Sequence, residues 1–209
     1  MACTEIYFAV LVDAKMREAR HDASAILRVR SMTALRIVLT GACGGVGRAM
    51  AIGFAEGGHN LVLVGRKAES LSALRDGLPR PRSHRYIVTD LLTEESVSEL
   101  CAEIADGPAI DVLVNNAGIS MFGLFTEADD KEMQRSLQLN LLVPMRLTKA
   151  LMPLLLDSQH GAVINIGSGF GSIGFAGFSV YCASKFGLRG FTEALQREYA
   201  NTHLCVHYL

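Results

Sequence analysis

Leu35-Arg36-Ile37-Val38-Leu39-Thr40 runs directly into Gly41-Ala42-Cys43-Gly44-Gly45-Val46-Gly47, and that junction decides the fold. The first six residues are a short β-branched apolar run, the pattern of a buried strand. The glycines after it permit a tight turn, and residues 46–56 then carry helical periodicity. A glycine-rich strand-to-helix turn of this kind lets backbone approach a pyrophosphate at the positive end of a helix. On its own it also serves as an unliganded turn. It is not a Walker A loop, since no Gly-Lys-Ser/Thr follows.

Working outward, the same unit repeats. Strands are expected at 35–40, 60–64, 84–89, 111–115, 162–166 and 203–209. Helices are expected at 46–56, 68–76, 94–105, 131–156 and 179–200. Runs such as Val112-Leu113-Val114 and Val163-Ile164 are apolar on both faces, which suits a parallel sheet covered on both sides. The alternation predicts an α/β fold, a Rossmann-type doubly wound parallel sheet flanked by helices on both faces. Residues 32–209 form one such domain. Residues 1–31 read as an appendage, disordered or helical, that carries no chemistry.

Composition narrows the function classes. Half of the 209 residues are hydrophobic and the net charge is −1, which fits a globular protein and gives no electrostatic reason to expect nucleic acid or an anionic membrane. No apolar run reads as long enough to span a bilayer. The five cysteines show no CxxC and read as reduced thiols in a cytoplasmic protein. The six histidines form no ligand cluster; His203 and His207 fall in a predicted strand, so no metal site is expected.

The second strand ends at Gly65-Arg66-Lys67, where an enzyme using NAD would place an acid against the ribose 2′-hydroxyl. A glycine beside a guanidinium instead accommodates the 2′-phosphate of NADP, so NADP(H) is expected in preference to NAD(H). Tyr181 and Lys185 are spaced i, i+4 and share one helix face. A free tyrosine ionises near about 10, so a phenol working as a base near neutrality needs a neighbouring cation. Ser168 follows the buried run that begins at Val163 and so sits at the carboxyl end of a strand, where its hydroxyl can polarise a substrate carbonyl. Asn140, polar within an apolar helix, calls for a local hydrogen-bond partner. The bland alternative is a helix-bending residue bound to its own backbone.

Together, Thr40-Gly41-x-x-x-Gly45-x-Gly47, Asp90, Asn115-Asn116-Ala117-Gly118, Asn140, Ser168 and Tyr181-x-x-x-Lys185 resemble the compact branch of the short-chain dehydrogenases/reductases. The match runs from about Leu35 to the C-terminus. Gly41-x-x-Gly44-x-x-Gly47 also fits the spacing of the extended, sugar-nucleotide-modifying branch. Asn115-Asn116-Ala117-Gly118 and the short chain favour the compact one.

The resemblance implies an oxidoreductase that moves a hydride between NADP(H) and a carbonyl or secondary alcohol. It implies that Gly41, Cys43, Gly44, Gly45, Val46 and Gly47 surround the diphosphate, and that Asp90 and Leu91 lie at the adenine. Asn116, Ala117 and Gly118 line the cofactor beside Arg66. Ser168 polarises the carbonyl and Tyr181 is the acid/base. Lys185 holds the nicotinamide ribose and assists the tyrosine. Asn140 holds a water that links Lys185 to solvent. It also implies a homodimer or homotetramer through helices 131–156 and 179–200.

Ile119, Met121, Phe122, Phe170, Ile173, Phe175 and Phe178 fall near the motifs. They suggest an apolar ketone or 3-oxoacyl substrate, although most such side chains are ordinarily core. Family members continue beyond the sixth strand by on the order of fifty residues, so the last strand and lid are expected to be absent here. Two other readings stay open. One is a catalytically impaired or non-catalytic dinucleotide-sensing protein of the same fold. The other is an extended-branch sugar-nucleotide enzyme, which would need a large C-terminal domain.

Overall fold

The structure, a computed structural model, describes residues 34–209; the expectation for residues 1–31 lies outside that range. Six strands form one parallel sheet in the order β3-β2-β1-β4-β5-β6. They are β1 (Arg36–Thr40), β2 (Asn60–Gly65), β3 (Arg85–Val88), β4 (Val112–Asn115), β5 (Ala162–Asn165) and β6 (Cys205–Tyr208). The helices are α1 (Gly45–Glu56), α2 (Ala68–Asp76), α3 (Glu94–Ala105), α4 (Asp130–Leu137), α5 (Val143–Asp157) and α6 (Ser179–Glu198).

The strands alternate between two cores, as a doubly covered sheet requires. Ile37, Leu39, Leu61 and Leu63 face one core with Phe54 of α1 and Leu71 and Leu74 of α2. Val38, Val62, Val64 and Leu113 face the other with Val97 and Leu100 of α3, Leu147 and Leu151 of α5 and Leu195 of α6. Local signals set the helix ends. Thr93 caps α3 by accepting the Ser96 N–H at 3.2 Å, and Glu94 and Glu95 complement its positive end.

Three expectations need correction. The helix read at 131–156 is not one α-helix: α4 and α5 are joined by a π-helical turn, Gln138–Leu142. Moreover, the run Asp130–Asp157 is long and apolar enough by length and composition to cross a membrane, which the sequence reading passed over. In the structure its α5 part packs in the core, with Val143, Leu147, Leu151 and Leu155 buried, whereas α4 buries only Ser136. Among the described cysteines, Cys43, Cys101 and Cys182 are free thiols. Cys205 is disulfide-bonded, so the expectation of reduced thiols fails there.

Candidate functional site

Strand order reverses between β1 and β4, and the crevice at their carboxyl ends is where an open α/β sheet takes a ligand. Thr40 ends β1 with 1 % exposure. Its hydroxyl accepts the N–H groups of Asn116 and Ala117, each at 3.0 Å, and donates to the Val114 carbonyl at 3.2 Å. The Asn116 amide donates back to the carbonyls of Thr40 (2.9 Å) and Gly41 (3.1 Å). The glycine loop is therefore pinned to the end of β4.

The glycines have distinct reasons. Gly41 has φ 65°, and a Cβ there would stand 2.9 Å from the Ala117 Cα. A Cβ at Gly47 would overlap the Gly41 carbonyl, whereas Gly45 faces open space. The Gly44 N–H closes the turn onto the Gly41 carbonyl at 3.1 Å. Unlike α3, α1 begins with no side-chain cap and no acid in its first turn, so its leading N–H groups and positive end suit an anion. Cys43 is partly buried in this loop; burial raises its pKa, with Arg48 pulling the other way. Val46 is exposed.

At the neighbouring strand ends, the Thr89 N–H donates to the Gly65 carbonyl at 2.8 Å. Arg66 and Lys67 are exposed just beyond. Asp90 is exposed too, and its carboxylate accepts the Leu92 N–H at 3.2 Å. The Leu91 side chain lies in the core, so only its backbone is available to a ligand.

Asn140 occupies the π turn and is 1 % exposed. It accepts the Ile119 N–H (2.8 Å) and donates to the Ile119 carbonyl (2.8 Å) and the Ser184 hydroxyl (3.0 Å). The expectation of a partner is met across the fold rather than by its own backbone, and a π turn at a functional position is a common device. Gly118 lies beside it: a Cβ there would sit 3.0 Å from Asn140 Oδ1 and 3.8 Å from Lys185 Nζ.

Lys185 is 5 % exposed. Its Nζ donates to the Ile166 carbonyl at 2.8 Å and stands 5.8 Å from the Tyr181 ring centroid. Burial lowers its pKa to about 8. The Ser168 hydroxyl accepts the Phe170 N–H at 3.2 Å, which leaves its own proton to donate. Tyr181 is half-buried, edge-on to Phe170 (6.0 Å) and Phe178 (6.4 Å). Its hydroxyl has no hydrogen-bond partner among the described residues. Ser168 and the Lys185 ammonium thus both lie at the carboxyl end of β5, with Tyr181 one helical turn from Lys185 and two hydroxyl protons uncommitted among the described residues.

Phe175, Phe170, Phe178 and Phe122 pack in that order, at 4.8 Å, 4.8 Å and 5.0 Å between neighbouring rings. The expectation that most of the apolar residues near the motifs are core does not hold. None of the seven is buried, and Phe122, Ile173 and Phe175 are exposed.

Three contributors escaped the sequence reading. Thr40 stands in the quoted motif yet was given no role of its own. Asn115 donates to Asn165 at 2.8 Å, which donates to Thr192 at 2.9 Å, a buried chain binding β4, β5 and α6. Tyr208, packed beneath Ser168, left no signal in the sequence.

A family profile described as short chain dehydrogenase matches residues 36–209. The chain is 36 % identical over 172 residues to the 3-oxoacyl-[acyl-carrier-protein] reductase of Escherichia coli, covering 81 % of this chain and 69 % of that protein. It is 32 % identical over 171 residues to an NADPH-dependent pterin aldehyde reductase of Arabidopsis thaliana, covering 80 % and 71 % respectively. Among solved structures, a metagenomic short-chain oxidoreductase in complex with NADP superimposes with a TM-score of 0.76 at 29 % identity, covering 83 % of this chain and 80 % of that one.

Proposed function

The chain belongs to the short-chain dehydrogenase/reductase family of oxidoreductases, and from that premise we propose that it interconverts an apolar ketone and its secondary alcohol using NADP(H). The observation that carries the reading is the Lys185 ammonium on the Ile166 carbonyl, which holds Lys185 and its neighbour Tyr181 at the strand end leading into Ser168.

The residues present fit a dinucleotide. The loop Gly41–Gly47 has no room for a side chain at its turn and opens at Gly45, while α1 offers uncapped N–H groups for a diphosphate. Arg66 and Lys67, with no acid at Gly65, favour a 2′-phosphate. NADP is also named with the Arabidopsis relative and the metagenomic neighbour. When bound, the cofactor supplies the hydride for reduction or takes it in oxidation.

The chain's own groups handle the oxygen and its proton. Ser168 donates a hydrogen bond to the substrate carbonyl, polarising it. Tyr181 gives the proton to that oxygen as it gains charge, and takes it back in the reverse direction. Lys185, held by the Ile166 carbonyl, keeps an ammonium one helical turn from the phenol, where it favours the phenolate. Asn140, fixed in the π turn by its bonds to Ile119 and Ser184, is the residue that would hold a water linking Lys185 to solvent. The stacked phenylalanines beside Tyr181 supply an apolar face for the substrate, in keeping with the 3-oxoacyl reductase named above. Exposed Leu142 and Met145 on the α5 side and Phe186 on α6 would be covered in a homo-oligomer, which sedimentation at micromolar concentration tests.

The test is NADPH oxidation with a panel of apolar ketones, using Tyr181→Phe as control. Loss of turnover by about 100-fold or more, with NADPH fluorescence titrating as in the wild type, supports the assignment. Equal loss of binding and turnover would make Tyr181 structural. A folded wild type that binds neither NADPH nor NADH would refute the reading.

A further inference from the structure

Resting on the assignment of Ser168 and Lys185 above, we propose that Tyr208 is a positioning residue that sets the Ser168 loop against the helix carrying Tyr181 and Lys185. Tyr208 is the last residue of β6 and pairs in register with Asn165 of β5. Its ring lies under the turn that carries Ser168. A Cβ at Gly167 would overlap the phenol ring, and one at Gly171 would overlap its oxygen. Two glycines flanking Ser168 therefore let the loop settle onto this one side chain.

The phenol oxygen sits where the loop and the helix meet. It accepts the Ser168 N–H at 3.3 Å. Its proton has two acceptors, the Lys185 carbonyl at 3.4 Å and the Ser168 carbonyl at 3.5 Å. One hydroxyl thus touches the backbone of Ser168, assigned to the substrate oxygen, and of Lys185, assigned to assist Tyr181, and a phenol can donate once and accept twice. Burial raises the Tyr208 pKa, while the Ser168 N–H and Arg189 pull it the other way, and the nearby Tyr181 adds to the rise. The hydroxyl consequently keeps its proton to donate.

These bonds are long, so each is individually weak. Their effect lies in geometry: a catalytic hydroxyl misplaced by a fraction of an ångström loses its transition-state contact while substrate binding is little changed. The aromatic ring fills the space under the loop, and the oxygen registers the loop along the helix. Tyr208→Phe separates the two, because it keeps the ring and removes only the oxygen.

The experiment measures four quantities on the full chain. For Tyr208→Phe, the single-turnover rate of NADPH oxidation with a ketone accepted by the wild type is expected to fall about three- to ten-fold, KM and NADPH affinity staying within about two-fold. Hydrogen exchange at the Ser168 amide is expected to quicken by a similar factor, a readout that needs no turnover. Gly171→Ala, whose new methyl would displace the phenol oxygen, is expected to slow turnover alone. Combined with Tyr208→Phe it should add little, because the oxygen it displaces is already gone.

A wild-type turnover rate matched by Tyr208→Phe, with Ser168 exchange unchanged, overturns this proposal and leaves the dehydrogenase reading intact. Full additivity of the two substitutions overturns it as well. A wild type that reduces no ketone fails the parent reading instead. Ser168 exchange then still decides whether the phenol holds the loop.

Discussion

Lys185→Met is expected to stabilise the ligand-free protein near neutral pH while abolishing turnover. The lysine is 5 % exposed, and burial lowers its pKa from 10.5 to about 8. Below about pH 8 it is charged in both folded and unfolded chains, and the fold carries the full penalty of burying an ammonium. A displacement of that size corresponds to on the order of 3 kcal/mol. Between about 8 and 10.5 the unfolded chain binds more protons than the folded one, so this residue makes stability rise with pH through that window. Methionine is of similar length and cannot be charged, so it removes the penalty. It also removes the hydrogen bond to the Ile166 carbonyl, which returns about 1 kcal/mol.

The net expectation is a gain of about 2 kcal/mol near pH 7, or a Tm higher by roughly 4–8 °C for a domain of this size. By about pH 10.5 the gain should have vanished. The assay is thermal denaturation of both proteins at several pH values, reported as the difference between them. The difference matters because Cys101 titrates in an overlapping range with the opposite sign. Burial raises its pKa to about 11 from 9.0, so its contribution is lost as pH rises above 9.0. A wild-type scan alone would mix the two slopes, whereas Cys101 cancels from the difference. A variant whose Tm offset is the same at pH 7 and pH 10 would refute the reasoning. So would one already less stable at pH 7.

Three further outcomes test other parts of the site. Gly47→Ala places a methyl onto the Gly41 carbonyl and should weaken NADPH binding more than ten-fold by fluorescence titration; an affinity matching the wild type would sink the cradle. Asn140→Ala strips partners from the Ile119 N–H and carbonyl and from Ser184, and should destabilise the fold by about 2–4 kcal/mol in urea denaturation. A change under about 0.5 kcal/mol would mean the bridge contributes nothing. Arg66→Ser should weaken NADPH about ten-fold or more while leaving NADH unchanged, in parallel titrations. Equal effects on both cofactors would remove Arg66 from the 2′-phosphate reading.

The elements legible in the sequence are those whose ends are settled locally. Helices α2 and α3 fall on the predicted residues 68–76 and 94–105, because Gly77 stops one and Thr93 starts the other. The strands are found within two residues at each end, and the central ones, β1, β4 and β5, are the apolar runs that a sheet covered on both faces buries. The helix at 131–156 was misread for a physical reason. Its apolar periodicity is continuous, and the break at Gln138–Leu142 accompanies an amide that reaches Ile119, twenty-one residues away. Periodicity does not report a partner at that distance.

The same distinction runs through the site. The glycine loop, Ser168 and the Tyr181–Lys185 spacing are chemical statements about residue type and separation, and they sufficed to place the chain in its family. The apolar residues near the motifs were read as mostly core because composition cannot say which face of a loop is covered. The fold leaves Phe122, Ile173 and Phe175 exposed instead, with Phe122 and Phe175 packed on the two phenylalanines that meet Tyr181. Tyr208 lies forty positions from Ser168, and only parallel pairing of β5 with β6 carries its ring beneath that loop. Residue type and spacing along the chain therefore determined the fold class, the family and the groups proposed to react. How firmly those groups are held was decided by tertiary structure, because the contacts that hold them join residues brought together only by the packing of the sheet and its helices.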